Sequence, residues 1–314
     1  MAIAETYIPA LKKIKTPAFF LYLCGSISIY MRISVLSFCL IAIFISSCKD
    51  VRITEHKDWG KYFENKGIKN ACFILRDNNH ESVHYYNRAR CLERFLPAST
   101  FKIFNSMVAL ETAVAADDQL VIKWDSVVRR PEWDKDMNMR EAFKVSCVPY
   151  YQEIARRVGP KRMQHFLDTM KYGNMQMGGQ IDNFWLNNTL KISADEEMGL
   201  LKRMYFAELP MSERTQRIVK TMMLQEATPA YNLYYKTGTG EVNGKTTYWI
   251  VGFVEKIVKV KELEGSMNKS DFRNYPYFFA QNFDMPSSDT SKDWMQTRKD
   301  IMKDILRDYD VLPK

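Results

Sequence analysis

The sequence predicts an α+β domain, with an antiparallel sheet lobe formed by both chain ends and a helical lobe inserted between them. Three observations carry this. Strand-like runs lie at 70–86 and again at 231–282, whereas 111–226 is mostly helical in its spacing. The 314 residues are 46% hydrophobic and 26% charged, enough for one large buried core. With 13 Gly and 11 Pro, the composition excludes a disordered, collagen-like or low-complexity chain.

Asn70–Arg76 reads as a strand, Asp77–Asn79 as a turn and Val83–Tyr86 as the returning strand of a hairpin. Pro97 punctuates. A helix then begins near Ser99, with Phe101, Ile103, Phe104, Met107, Val108 and Leu110 at three- and four-residue spacing. Further helices are predicted over 139–145, 149–158, 160–171, 194–207 and 211–226, separated by Gly, Pro and Asn. Strand character returns at 231–236, 248–255 and 277–282, and 294–308 is an amphipathic helix. No internal repeat is present.

The first fifty residues differ from the rest. Met31-Arg32 followed by the apolar Ile33–Ile45 has the layout of a complete signal peptide, which makes an upstream start at Met1 dispensable. Ile45-Ser46-Ser47-Cys48 places small residues before a cysteine and resembles a bacterial lipobox, so Cys48 is a candidate lipidated first residue. A retained transmembrane anchor is the alternative. On this reading 1–47 is an export leader and 48–314 a single catalytic domain, expected in the periplasm and, with Cys48 lipidated, tethered to the membrane. Beyond the leader remain Cys72, Cys91 and Cys147, an odd and scattered trio that argues against a disulfide framework. The net charge is +8, of which +3 sits in the leader. A thin excess without a basic block suits small anionic substrates and gives no support to nucleic-acid binding.

His80-Glu81-Ser82-Val83-His84 matches the H-E-x-x-H pattern of zinc proteases. That chemistry needs a helix, which brings the two His onto one face around the metal. Here the pattern straddles a turn and a strand, and no third ligand is evident. No metal is expected.

Pro97-Ala98-Ser99-Thr100-Phe101-Lys102 is the most informative hexapeptide. Ser-x-x-Lys on a first helical turn puts hydroxyl and amine on one face, beside the free N–H groups of the helix start. Such a lysine acts as a base only when neutral, which requires burial. Ser146-Cys147-Val148 follows, its hydroxyl just before a helix. Tyr172-Gly173-Asn174 closes another helix, and Lys236-Thr237-Gly238 ends a strand. Ser-x-x-Lys with a later Lys-Thr-Gly is a signature of penicillin-binding serine enzymes.

The chain closely resembles the class D serine β-lactamases from about residue 54 onward. The likeness extends to Tyr86–Arg90, Arg130–Trp133, Tyr151–Arg157, Ile181–Leu186 and Trp249–Lys256. It implies the serine β-lactamase and penicillin-binding transpeptidase fold, and an exported hydrolase of penicillin-type antibiotics. It further implies Ser99 as the nucleophile and Lys102 as an N-carboxylated general base, with CO2 or bicarbonate as the source and no other cofactor. Trp185 matches the indole that donates to the carbamate, and Val148 and Leu186 the apolar wall around it. Ser146 and Lys236 match the proton-relay positions. The N–H groups of Ser99 and Thr239 match the oxyanion hole, and Thr237, Gly238 and Arg298 line the substrate side, with Thr237 and Arg298 holding its carboxylate. Blander alternatives stand beside these: Trp185 and Val148 as plain core, Arg298 as an exposed charge, Cys147 as a small buried filler.

Ile257–Pro276 departs from the family by replacing a tight turn with a long segment rich in Lys, Glu, Ser and Asn. It is expected to be an elongated hairpin tip. Two rival functions share such a site. A β-lactam sensor would stay acylated as a signal, and a D,D-peptidase would carry Asn where Val148 stands.

Overall fold

The computed structural model describes residues 51–259 and 272–314. The predicted leader with Cys48, and the centre of the insertion, lie outside the described residues. Val51–Lys314 forms one compact unit.

In chain order, β1 (Arg52–Glu55) leads to the short helix α1 (Gly60–Glu64), then β2 (Asn70–Asp77) and β3 (Ser82–Tyr86). The helix α2 (Arg88–Leu92) and the short strand β4 (Arg94–Phe95) bring the chain to a 3-10 turn, Ala98–Thr100, continuous with α3 (Phe101–Glu111). The helical lobe adds α4 (Met139–Lys144), α5 (Val148–Val158), α6 (Pro160–Met170), β5 (Ile192–Ser193), α7 (Ala194–Tyr205) and α8 (Glu213–Met222). The chain returns to the sheet with β6 (Leu224–Ala227), β7 (Tyr231–Val242), β8 (Lys245–Lys259) and β9 (Phe272–Pro286), and ends in α9 (Trp294–Asp308). The main sheet runs β1-β3-β2-β9-β8-β7-β6, and β4 pairs with β5 separately. Every pairing in the main sheet is antiparallel except β1 with β3.

Strand alternation divides the core. On β2, Cys72 and Ile74 face the helical lobe while Ala71, Phe73 and Leu75 face the other way. On β8, Trp249, Val251 and Phe253 share the first face, Ile250 and Val254 the second. Both faces are therefore apolar and both need a cover. Ile301, Met302, Ile305 and Leu306 of α9 cover the second face together with Trp59 and Phe63. The first packs against Phe101, Phe104 and Met107 of α3 and the other helices. Each such side chain contributes about 1.5–3 kcal/mol by leaving water.

The helix starts follow local chemistry. Asn138 and Ser193 each close a capping box, with Glu141 and Glu196, at α4 and α7. Pro149 and Pro160 open α5 and α6, where a missing N–H costs nothing.

Two expectations need correction, and one strand was not anticipated. The predicted helix 211–226 stops at Met222, and Leu224–Ala227 is an edge strand on β7. Leu224 and Gln225 continue the helical spacing, but pairing with β7 overrides it. β1 had no signal because all four of its residues are exposed. Much of 113–138 is turn and loop around a single bridge, Ile122 to Met137. In the 257–276 insertion, the β8–β9 ladder continues out to Lys259 opposite Phe272.

The zinc decoy lies on a turn and strand, as expected. His80 pairs with Asp77 at 2.7 Å, whereas His84 sits on β3, 2.9 Å from His56 and 2.7 Å from the Tyr309 hydroxyl. Among the described residues no group of three or more His, Cys, Asp or Glu is placed to hold a metal. Cys72, Cys91 and Cys147 are free and buried.

Candidate active site

Ser99 lies in the middle of the 3-10 turn that feeds α3, partly exposed, and Lys102 on the first α-helical turn is wholly buried. Lys102 Nζ is 2.8 Å from Ser99 Oγ. Ala98, just before Ser99, has a φ of 49°, and Ser146 has a φ of 59°. Non-glycine residues in this left-handed region cost roughly 1–3 kcal/mol each, so local strain sits on both sides of the site.

The Ser99 turn is held against β7 by missing side chains. A Cβ on Gly238 would lie 2.8 Å from Pro97 O and 3.2 Å from Thr100 N, and one on Gly240 would lie 2.5 Å from Leu96 Cδ2. Trp249 of β8 ties the same segment by donating its indole N–H to Leu96 O at 2.9 Å. The sequence Lys-Thr-Gly-Thr-Gly thus brings Lys236 to the turn because two glycines let the strand approach.

Lys236 is 4% exposed and donates to Ser146 Oγ at 2.9 Å and to Thr237 O at 3.0 Å. Ser146 precedes Cys147, the cap of α5, so the hydroxyl enters just ahead of a helix as expected. Neither Lys102 nor Lys236 has a carboxylate partner among the described residues. Burial pulls the Lys102 ammonium down to about 7. Burial, then the charges of Lys102 and Arg298, holds Lys236 well below the usual lysine range. Aromatic faces replace the missing carboxylates. Tyr151 lies 5.5 Å from Lys102 Nζ and Phe143 5.5 Å from Lys236 Nζ, measured to the ring centroids.

Trp185 is wholly buried and stacks on Phe101, 5.0 Å between ring centroids. Its Nε1–H is buried with no hydrogen-bond partner among the described residues. A core tryptophan usually satisfies that donor, so the orphan N–H weighs against the plain-core alternative. Leu186 follows it, half-buried, and Val148 is the half-exposed first residue of α5. Arg298, on the second turn of α9, is 5% exposed, so the surface-charge alternative is excluded. Its Nη1 donates to Gly238 O at 2.7 Å and to Thr239 Oγ1 at 2.9 Å, and burial brings its guanidinium down to about 10. Thr237 and Thr239 are half-buried on β7. Cys147 is a buried filler beside Lys102.

A cavity of about 510 Å³ adjoins the Ser146–Val148 segment, sharing Cys147 with it. Trp124, Trp133, Arg129 and Arg156 line it, whereas Ser99, Lys102 and Lys236 do not.

Two participants escaped the sequence reading. Tyr151 stood in a quoted motif without a role, and only the fold places its ring by Lys102. Glu197 looked like one more acid in the first turn of α7, the usual complement to a helix dipole. It is instead wholly buried, with Oε1 2.5 Å from Thr100 Oγ1.

A neutral amine against a hydroxyl, a second low-pKa lysine against a second hydroxyl, and backbone N–H groups at a helix start suit nucleophilic acyl transfer. Comparisons with known proteins point the same way. The penicillin binding protein transpeptidase domain family matches residues 63–271. The β-lactamase OXA-48 of Klebsiella pneumoniae is 38% identical over 262 residues, 82% of this chain and 90% of that protein. The β-lactamase OXA-5 of Pseudomonas aeruginosa is 35% identical over 283 residues, 89% and 98% of the two chains. Among solved structures, the class D β-lactamase YbXI from Nostoc is 37% identical with a TM-score of 0.72, over 81% of this chain and 99% of that one. The class D β-lactamase FUS-1 of Fusobacterium nucleatum is 34% identical, also at 0.72, over 82% and 99%. Family, relatives and solved structures agree over the segment that carries Ser99, Lys102, Ser146 and Lys236, and the chain therefore belongs to the class D β-lactamases and hydrolyses β-lactams.

Proposed function

We propose that hydrolysis runs through an acyl-enzyme on Ser99, with Lys102 working as its N-carboxylate. The observation that carries this is a wholly buried, carboxylate-free Lys102 beside Ser99, together with the orphan indole N–H of Trp185. The amine is neutral over much of the neutral range, so it can add CO2, and the new carboxylate would satisfy the indole. Such a group supplies a strong base beside the hydroxyl, first for Ser99 and then for water.

The chain's own residues divide the remaining work. Ser99 Oγ attacks the lactam carbonyl carbon and the ring C–N bond breaks. The N–H groups of Ser99 and Thr239 hold the developing oxyanion. Lys236 and Ser146, hydrogen-bonded at 2.9 Å, carry a proton to the departing nitrogen. Thr237 and Arg298 receive the substrate carboxylate, with Arg298 also fixing β7 through Gly238 O. Water then opens the ester. Val148 and Leu186 shield the base from bulk solvent. The family needs no metal.

Residues 1–47 direct export, Cys48 carries a lipid, and the mature domain 48–314 works in the periplasm. The leader's composition and the lipobox-like Ile45–Cys48 support this.

The test is chemical. With 13C-bicarbonate, the wild-type protein should show one carbamate carbon signal by NMR that Lys102→Ala removes. Intact mass after a brief penicillin pulse should show a persisting Ser99 adduct in that variant. A wild-type protein without the signal, or a Lys102→Ala variant that turns over rapidly, would overturn the mechanism.

A further inference from the structure

Behind the nucleophile lies a carboxyl group with no cation to neutralise it. Glu197 of α7 is 0% exposed, and its Oε2 is buried without a hydrogen-bond partner. Its Oε1 lies 2.5 Å from Thr100 Oγ1 and 3.3 Å from the Tyr172 hydroxyl. Thr100 Oγ1 is also 2.9 Å from Pro97 O, across the turn that holds Ser99.

A count of protons decides the state. Thr100 has one hydroxyl proton and two oxygens within reach of it, Glu197 Oε1 and Pro97 O, the latter also accepting the Thr100 backbone N–H at 3.1 Å. Were Glu197 ionised, that proton would go to the carboxylate, leaving Thr100 Oγ1 facing Pro97 O at 2.9 Å with lone pairs on both sides. Oε2 would then be a buried charged oxygen with no donor. With a proton on Oε1, every O–H has one acceptor. Tyr172 donates to Glu197, Glu197 to Thr100, and Thr100 to Pro97 O. Tyr172 is a secure donor, because burial, then Glu197, pushes its phenol well above its usual range.

We infer that Glu197 is a protonated carboxylic acid in the working enzyme and a positioning residue that braces the Ser99 turn through Thr100. The strained Ala98, with its φ of 49°, shows that this turn has to be held in place. The titratable groups facing Glu197 are Tyr172, from the segment after α6, and Glu196 beside it on α7. Glu196 is itself paired with Arg94 at 2.5 Å. Burial comes first in raising the Glu197 carboxyl, to about 7.

This rests on Ser99 being the nucleophile, and the test separates the two claims. Infrared spectra of the wild-type protein at pH 6 should contain a buried, protonated-carboxyl C=O stretch that Glu197→Gln removes, whatever Ser99 does. Gln is isosteric and keeps a donor for Thr100, so kcat in saturating bicarbonate should stay within about threefold of wild type at pH 6. It should also lack the one-proton fall above neutral pH that Glu197 ionisation gives the wild type. Glu197→Met, of similar size with no donor, should lower kcat at every pH while leaving KM nearly unchanged. A wild-type spectrum without that band at pH 6, or an alkaline limb identical in wild type and Glu197→Gln, would overturn the inference. Failure of Ser99→Ala to abolish acylation would instead sink the nucleophile assignment and leave the infrared result standing.

Discussion

Glu255 and Lys236 lie on neighbouring strands, both 4% exposed, but they are buried under opposite rules. Glu255 takes Lys220 Nζ at 2.7 Å and the Tyr205 hydroxyl at 3.0 Å on one oxygen. The other takes Asn232 at 3.3 Å and the Tyr234 hydroxyl at 3.0 Å. Burial alone would raise this carboxyl, but Lys220 and the other donors outweigh it and keep it below its ordinary value. Around Lys236 and Lys102 there are, among the described residues, two buried amines, no carboxylate and an unsatisfied indole. A fold selected only for stability pairs such groups or omits them. The first cluster reads as structural, and the second stores unpaired polarity at the proposed reaction site.

Breaking either cluster should separate activity from stability. Ser99→Ala should have the largest effect, on the order of a million-fold in kcat with no acyl adduct by mass, and near-native stability. Lys102→Ala should leave slow acylation and almost no deacylation, read as a burst without turnover. Lys220→Met, on the structural side, should cost about 3 kcal/mol in denaturant unfolding by stranding Glu255, with kcat per folded molecule unchanged. Trp185→Phe would remove the hydrogen bond proposed from the indole N–H to the Lys102 carboxylate. It should raise the bicarbonate needed for half-maximal rate by roughly 10- to 100-fold, for a bond worth about 1.5–3 kcal/mol.

A further effect is on stability against pH. The folded-state value of Lys102 is about 7 against an ordinary 10.5. Between these values the unfolded chain binds the proton and the folded chain does not, so in CO2-free buffer stability rises with pH across that window. Below about pH 7 both states are protonated and the full penalty remains. Lys102→Met should therefore raise the unfolding midpoint at pH 6 and flatten its rise toward pH 10. A midpoint that falls with the substitution at pH 6 would contradict a costly buried ammonium.

Much of the site was legible because short motifs fix local geometry. Ser99 and Lys102 are one helical turn apart, which spacing alone shows, whereas Lys236 was joined to them by the Lys-Thr-Gly signature and the family resemblance, and its glycines explain the close approach. The central strands were legible through their alternation, as in Cys72 and Ile74 against Phe73 and Leu75. What was hidden depends on contacts distant in sequence. Leu224–Ala227 carries helical spacing and becomes a strand only because β7 offers an edge. Glu197 resembles any helix-start acid until Thr100, 97 residues away, is placed against it. Arg298 looked equally able to face solvent, and only the packing of α9 against β7 buries it.

The most direct measurement is steady-state hydrolysis of a chromogenic cephalosporin by purified residues 49–314, with and without bicarbonate and with a chelator. Sustained turnover that bicarbonate raises and the chelator spares is the expected result for a carboxylated Lys102 beside Ser99. A stoichiometric burst with no turnover, unmoved by bicarbonate, would contradict it and identify a receptor that stays acylated.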